Sequence, residues 1–214
     1  MIQAVLFDLD GTFADTAPDL ARAVNIMRAT RNLPQVALEA TRPVTSHGAR
    51  GLLAAGFGMT PDHPEYAGMR AEFLDLYARD ICVETRLFPG IAELLRGLEA
   101  RGMKWGIVTN KAERFAKPLI ERLEPEQRCA CVVGGDTTSR MKPHPDPLLA
   151  ASRLIGLAPR ACVYVGDDRR DVEAGLAAGM LTIAVRYGYL NGSDPGTWGA
   201  DAVVDTPEGV LAHL

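Results

Sequence analysis

The chain has 214 residues, with 23 Lys and Arg against 27 Asp and Glu, and a formal net charge of -4. That length suits one large domain or a domain carrying a sizeable insertion, with a core that needs no cross-links. The acidic balance offers no general field for nucleic acid or an anionic membrane, so neither is expected as a partner, and attraction for an anionic substrate must be local.

Met1-Ile2-Gln3 leads directly into an apolar run, without the basic region or long apolar stretch of a signal peptide. No stretch approaches the roughly 18 apolar residues of a membrane span. A cytoplasmic protein, monomer or homodimer, is the expectation. Cys82, Cys129, Cys131 and Cys162 are scattered, and Cys129-x-Cys131 has no second ligand pair for zinc, so all four read as reduced structural thiols.

The first predicted element is a buried parallel strand, Ala4 to Phe7, that runs into Asp8-Leu9-Asp10-Gly11-Thr12. Residues i and i+2 of a strand share a face, so Asp8 and Asp10 crowd one small volume at its carboxyl end. Two carboxylates there are costly without a cation or a proton. Gly11 lets the backbone turn and bring N–H groups up to an anion. A phosphate together with a hard metal such as Mg²⁺ satisfies both halves of the arrangement. The plainer reading is a strand-end turn, for which Asp and Gly are common.

From Ala14 to about Cys82 the texture is helical. Thr16-Ala17-Pro18-Asp19 offers an N-cap and an early proline before Leu20, Val24 and Met27. A second helix is predicted to begin after Pro43 and run through Leu52 and Leu53. A third is predicted from Pro64 to Arg79, with Met69, Phe73, Leu76 and Tyr77 on its apolar face. Beyond Phe88-Pro89-Gly90 helices and strands alternate. Strands are expected at Lys104 to Thr109, Ala130 to Gly134, Ala161 to Gly166, Leu181 to Val185 and Ala202 to Val204. Helices are expected at Ile91 to Arg101, Ala112 to Leu123, Pro145 to Ile155 and Asp171 to Ala178. Such alternation implies a parallel sheet covered on both faces, with ligands beyond the carboxyl ends of its strands.

Three further clusters fall at those ends. Thr109-Asn110 follows one strand, Lys142 lies in the segment before a helix, and Asp167-Asp168-Arg169-Arg170-Asp171 follows Gly166. Taken singly they read as turn formers, a solvated lysine and helix-start acids that favour the dipole. Capping accounts for one acid but not readily for three after a buried strand.

Asp8-Leu9-Asp10-Gly11-Thr12, Thr109-Asn110, Lys142 and Gly166-Asp167-Asp168 together resemble the four motifs of the haloacid dehalogenase superfamily. The resemblance covers the whole chain and implies an α/β Rossmannoid core at residues 1–13 and 87–214, with a small helical cap and its hinges at 14–86. It implies Asp8 as nucleophile, forming an aspartyl-phosphate, and Mg²⁺ held by the Asp8 carboxylate, the Asp10 carbonyl and Asp167. Asp10 would be general acid and base. Thr109 and Lys142, with Gly11 and Asn110, would hold the phosphoryl oxygens, and Thr12, Asp168 and Asp171 would stand behind the metal ligands. Asp10 argues against the dehalogenase branch, where that acid is absent, and so favours phosphate ester hydrolysis on a small phosphorylated metabolite.

Asp15-Thr16-Ala17-Pro18-Asp19 and Lys142-Pro143-His144-Pro145-Asp146-Pro147-Leu148-Leu149 resemble phosphoglycolate phosphatases. Arg86-Leu87-Phe88-Pro89-Gly90, Trp105 to Lys111, Tyr187-Gly188-Tyr189 and Trp198-Gly199-Ala200-Asp201 are closer to N-acetylmuramic acid 6-phosphate phosphatases of cell-wall sugar recycling. Phe13 departs from the aliphatic residue usual there, and a larger ring in the hinge is expected to alter cap closure or narrow the pocket. Substrate choice is expected in the cap at Ser46-His47-Gly48-Ala49-Arg50, with Gly48 allowing close approach and Arg50 available to a carboxylate. For His47 and Arg50 the plainer reading is a solvated helix face. A two-carbon acid calls for a closed-off pocket and an acylated sugar for a roomy one. A phospho-acceptor signalling module and a phosphosugar mutase are the rival readings. The helical insertion and Asp10 speak against the former, while the latter would return the phosphoryl group to a sugar.

Overall fold

The structure is a computed structural model and describes residues 1–124 and 128–214. Strand β1 (Ala4–Phe7) lies between β4 (Lys104–Val108) and β6 (Cys162–Gly166) in a six-stranded sheet of order β5-β4-β1-β6-β7-β8. The outer members are β5 (Val132–Val133), β7 (Leu181–Val185) and β8 (Ala202–Val204), and every pairing in the sheet is parallel. The strands read as unbroken apolar runs because both faces are covered. On one face Phe7, Trp105 and Val163 pack against α5 (Ile91–Ala100) and α6 (Glu113–Leu123). On the other, Leu6 and Tyr164 pack against α7 (Asp146–Leu154) and α8 (Arg169–Ala178). Phe7 pairs with both Ile107 and Val165, so Leu9, Thr109 and Asp167 each stand two residues past the same rung. That register brings three separated motifs to one end of the sheet.

Between β1 and β4 lie α1 (Ala17–Ala29), a short α2 (Leu38–Thr41), α3 (Gly48–Phe57) and α4 (Tyr66–Arg79). Leu20, Val24, Met27, Leu52, Leu53, Met69, Phe73 and Tyr77 form their own apolar cluster, which Phe115 of α6 enters from outside. Leu76 is only partly buried at its edge. Gly56 permits the crossing of α1 and α3, since a Cβ there would stand 2.5 Å from Val24 Cγ1.

Several predicted details are corrected. The helix expected after Pro43 is divided: Arg42–His47 is a 3-10 turn, and α3 starts only at Gly48, whose φ of 58° ends the first segment. The segment after Thr12 is not wholly helical, because Ala14–Asp15 (β2) pairs antiparallel with Arg86–Leu87 (β3), tying the outgoing and returning chain together. Thr16 precedes α1 but its side chain caps nothing. Instead the Tyr189 hydroxyl accepts from the Thr16 and Ala17 N–H groups at 2.8 and 3.0 Å and donates to Asp15 Oδ1 at 2.9 Å. Helix α8 begins at Arg169 rather than Asp171, because Asp168 and Asp171 form a capping box. Phe13 does not narrow the pocket: it is fully buried beneath the sheet, stacked on Trp105 at 5.5 Å and tilted against Phe7 at 5.8 Å.

Asp19 holds the returning loop. Its carboxylate accepts from the N–H groups of Val83, Glu84 and Thr85, from the Thr85 hydroxyl at 2.7 Å and from Arg22 at 3.0 Å. Burial alone would raise its pKa, but these donors hold it below the ordinary carboxylate value. The stability it contributes is therefore present above the unfolded pKa and lost as pH falls through the lowered one. Asp19→Ala strands these donors and is expected to cost about 2–4 kcal/mol in urea unfolding. A loss under about 0.5 kcal/mol, the size of an ordinary surface substitution, would count against this account.

Candidate active site

Lys142, 4% exposed, stands at the centre of the site. Its ammonium donates to Asp8 Oδ1 at 2.8 Å, Asp171 Oδ1 at 2.6 Å and the Tyr164 hydroxyl at 2.6 Å, with the Val108 carbonyl at 3.1 Å. The Tyr164 hydroxyl in turn donates to the Val108 carbonyl at 2.7 Å. Burial lowers the lysine's pKa, but Asp171 and Asp8 raise it further, so it stays charged.

Carboxylate oxygens of Asp8, Asp167 and Asp171, all buried, lie within 4.8 Å of one another. Burial, followed by repulsion from Asp8 and Asp171, pushes the Asp167 carboxyl well above the usual range. One lysine does not balance three acids in so small a volume. The donor set is all oxygen and hard, and the missing charge is that of a divalent cation, so the residues fit Mg²⁺. Asp167 is held from behind by the Thr12 hydroxyl at 3.0 Å and the Tyr189 N–H at 2.9 Å. Gly11 is required beside it: its φ is 93°, and a Cβ there would stand 2.1 Å from Asp167 Oδ2.

The structure revises three expectations. Asp171, placed behind the metal ligands, belongs to the buried triad itself, although one of its oxygens is bonded to Lys142 and the other accepts from the Asp168 N–H at 3.1 Å. Gly11 donates its own N–H to the Ala14 carbonyl and so has none for a phosphate, whereas those of Leu9, Asp10 and Asn110 have no partner among the described residues. The Asn110 side chain is likewise committed, donating to the Lys142 carbonyl at 2.9 Å and accepting from the Lys142 N–H at 3.0 Å. Thr109 accepts from the Lys111 N–H at 3.1 Å, leaving its own proton for a ligand. Asp168 faces Arg170: burial acts against its ionisation, but the hydrogen bonds from Arg170 hold its pKa below the ordinary value.

Lys111, absent from the predicted site, bonds both oxygens of Asp10, at 2.9 and 3.0 Å, and lies 4.8 Å from the centre of the Tyr77 ring. Asp10 also accepts from the Thr16 hydroxyl. Tyr164 and Thr16 were missed as well. A polar tip in the middle of an apolar strand was the available sign for Tyr164.

Above these groups opens a cavity of about 770 Å³ between the sheet ends and the helical segment. His47, Gly48 and Arg50 line it along with Asp8 and Asp10. His47 is partly buried, and burial, reinforced by Arg170, lowers its pKa.

Residues 5–185 match the family model described as haloacid dehalogenase-like hydrolase. The chain belongs to that family. Among curated relatives, an N-acetylmuramic acid 6-phosphate phosphatase of Pseudomonas aeruginosa is 46% identical over 100% of this chain and 95% of its own length. A phosphoglycolate phosphatase of Xanthomonas campestris is also 46% identical, over 96% of this chain and 93% of its own. Among solved structures, a predicted phosphoglycolate phosphatase of Haemophilus somnus superposes with a TM-score of 0.86 at 26% identity, covering 99% of this chain and 97% of the other. Within the family this chain is a phosphatase, a hydrolase of phosphomonoesters.

Proposed function

We propose that the chain hydrolyses N-acetylmuramic acid 6-phosphate in a Mg²⁺-dependent reaction through an aspartyl-phosphate on Asp8, with the helical segment at 14–86 acting as a cap. The cavity carries the substrate assignment: about 770 Å³ suits an acylated sugar and far exceeds what a two-carbon acid fills. Asp8, Asp167 and the Asp10 carbonyl, with Asp171 alongside, would hold Mg²⁺, which would supply the positive charge that lets a carboxylate approach a phosphate.

The chain's own groups do the rest. Lys142 fixes the Asp8 carboxylate by one oxygen. Asp8 attacks phosphorus, the ester P–O bond breaks, and Asp10 gives its proton to the leaving sugar oxygen. Asp10 then takes a proton from the water that attacks the acyl phosphate, which frees inorganic phosphate and restores Asp8. Among the described residues the Leu9, Asp10 and Asn110 N–H groups and the Thr109 hydroxyl have no acceptor, and as donors at the strand ends they can take phosphoryl oxygens.

Phosphoglycolate phosphatase is the second reading, supported by relatives of that name. Phosphate release from the two compounds side by side separates them. We expect kcat/KM to favour the amino sugar phosphate by about 100-fold or more, consistent with about 3 kcal/mol of pocket contacts made by the sugar. Preference for 2-phosphoglycolate would reverse the assignment.

A further inference from the structure

Most arginines here are answered by an acid or a carbonyl, as Arg42 is by Asp15 and Arg31 by Glu72. Arg50, Arg70 and Arg114 are not: among the described residues none has a carboxylate within 4.0 Å or a hydrogen bond, and all three line the cavity above the acids. Arg70 projects from α4 and Arg114 from α6, so the two come from opposite sides of the seam between the helical segment and the sheet layer. The Arg114 guanidinium lies over the Phe115 ring at 4.6 Å, and that ring packs on Tyr77 at 5.7 Å. An arginine resting on a buried ring is held in place, so less freedom is lost when it binds an anion.

Of the acids that line the cavity, Asp8 and Asp171 are answered by Lys142, Asp10 by Lys111 and Asp168 by Arg170, while Asp136 accepts from the Glu113 N–H. The unanswered positive charge on α4 and α6 calls for a second anionic group on the ligand, separate from the phosphate. We propose that Arg70 and Arg114 clamp a carboxylate of the substrate across the seam. This rests on the reading of the substrate as N-acetylmuramic acid 6-phosphate. In that sugar the lactyl carboxylate is attached through carbon 3 and the phosphate through carbon 6, on separate arms with several bonds between them. In 2-phosphoglycolate the two groups are separated by a single methylene and its ester oxygen, so they stand much closer together.

The test compares N-acetylmuramic acid 6-phosphate with N-acetylglucosamine 6-phosphate, which lacks only the lactyl group, on the full-length protein and on Arg70→Gln, Arg114→Gln and the double variant. Both side chains are exposed, so the variants are expected to fold. Wild type should prefer the lactyl sugar. The ratio of kcat/KM values should fall about 10- to 100-fold in the double variant, chiefly through KM for the lactyl sugar. Equal losses on both sugars, or an unchanged ratio, overturn the clamp while leaving the functional reading intact. A wild type that hydrolyses 2-phosphoglycolate and neither sugar overturns the functional reading, and the clamp with it.

Discussion

Asp8→Asn is expected to lower kcat by about 10⁴-fold or more while leaving the fold intact. The amide has the shape of the carboxylate but cannot form the acyl phosphate. Because the site crowds Asp8, Asp167 and Asp171 against a single lysine, removing one negative charge also relieves repulsion. The melting temperature of the variant should therefore equal or exceed that of wild type. Phosphate release assays and thermal melts read the two effects separately. Appreciable metal-dependent hydrolysis by the variant would remove Asp8 from the nucleophile's role, and a large fall in melting temperature would show that its charge is needed for folding.

Lys142→Met should be the most damaging single change to stability. Among the described residues Lys142 is the only cation bonded to Asp8 or Asp171, and its side chain is 3% exposed. Removing one partner of a buried ion pair leaves the other charge without compensation, typically at about 3–5 kcal/mol. Here two carboxylates are stranded, and the hydroxyl of Tyr164 loses a donor. The loss should appear in urea unfolding without divalent metal and should shrink when Mg²⁺ is added, since a bound cation offsets part of the repulsion. A metal-free loss below about 1 kcal/mol would show that the pairing is weaker than its geometry implies. Turnover should fall as well, because the Asp8 carboxylate loses the contact that orients it.

The central strands were legible because each is an unbroken apolar run that stops at Asp, Thr or Gly. Leu181–Val185 and Ala202–Val204 begin and end where the pattern places them. Ala14–Asp15 and Arg86–Leu87 were not legible: two-residue strands have no periodicity, and each exists only because the other lies beside it. Val132–Val133 is shorter than its apolar run for a related reason, being an edge strand paired on one side only.

Within the site, the strand-end acids could be read because their spacing alone crowds charge. Lys111 could not, because its partner Asp10 lies 101 residues away in sequence and nothing local marks it as more than a solvated lysine. Tyr164 shows a polar tip within an apolar strand, but nothing local names its partner Lys142, 22 residues away. The engagement of the Gly11 N–H and of the Asn110 side-chain amide was hidden for another reason. Sequence shows which donors a residue owns, but not which the fold has already used, as the Ala14 carbonyl uses the Gly11 N–H.

The central claim is that three buried acids and one lysine form a phosphoryl-transfer site completed by a divalent cation. The most direct measurement is inorganic phosphate release from N-acetylmuramic acid 6-phosphate by chelator-treated protein as Mg²⁺ is titrated back. The account predicts negligible release without metal and saturable recovery with it, with Asp167→Asn needing far more Mg²⁺ to reach half its maximum. Full turnover in the presence of chelator, or an Asp167→Asn titration curve that overlays wild type, would contradict it.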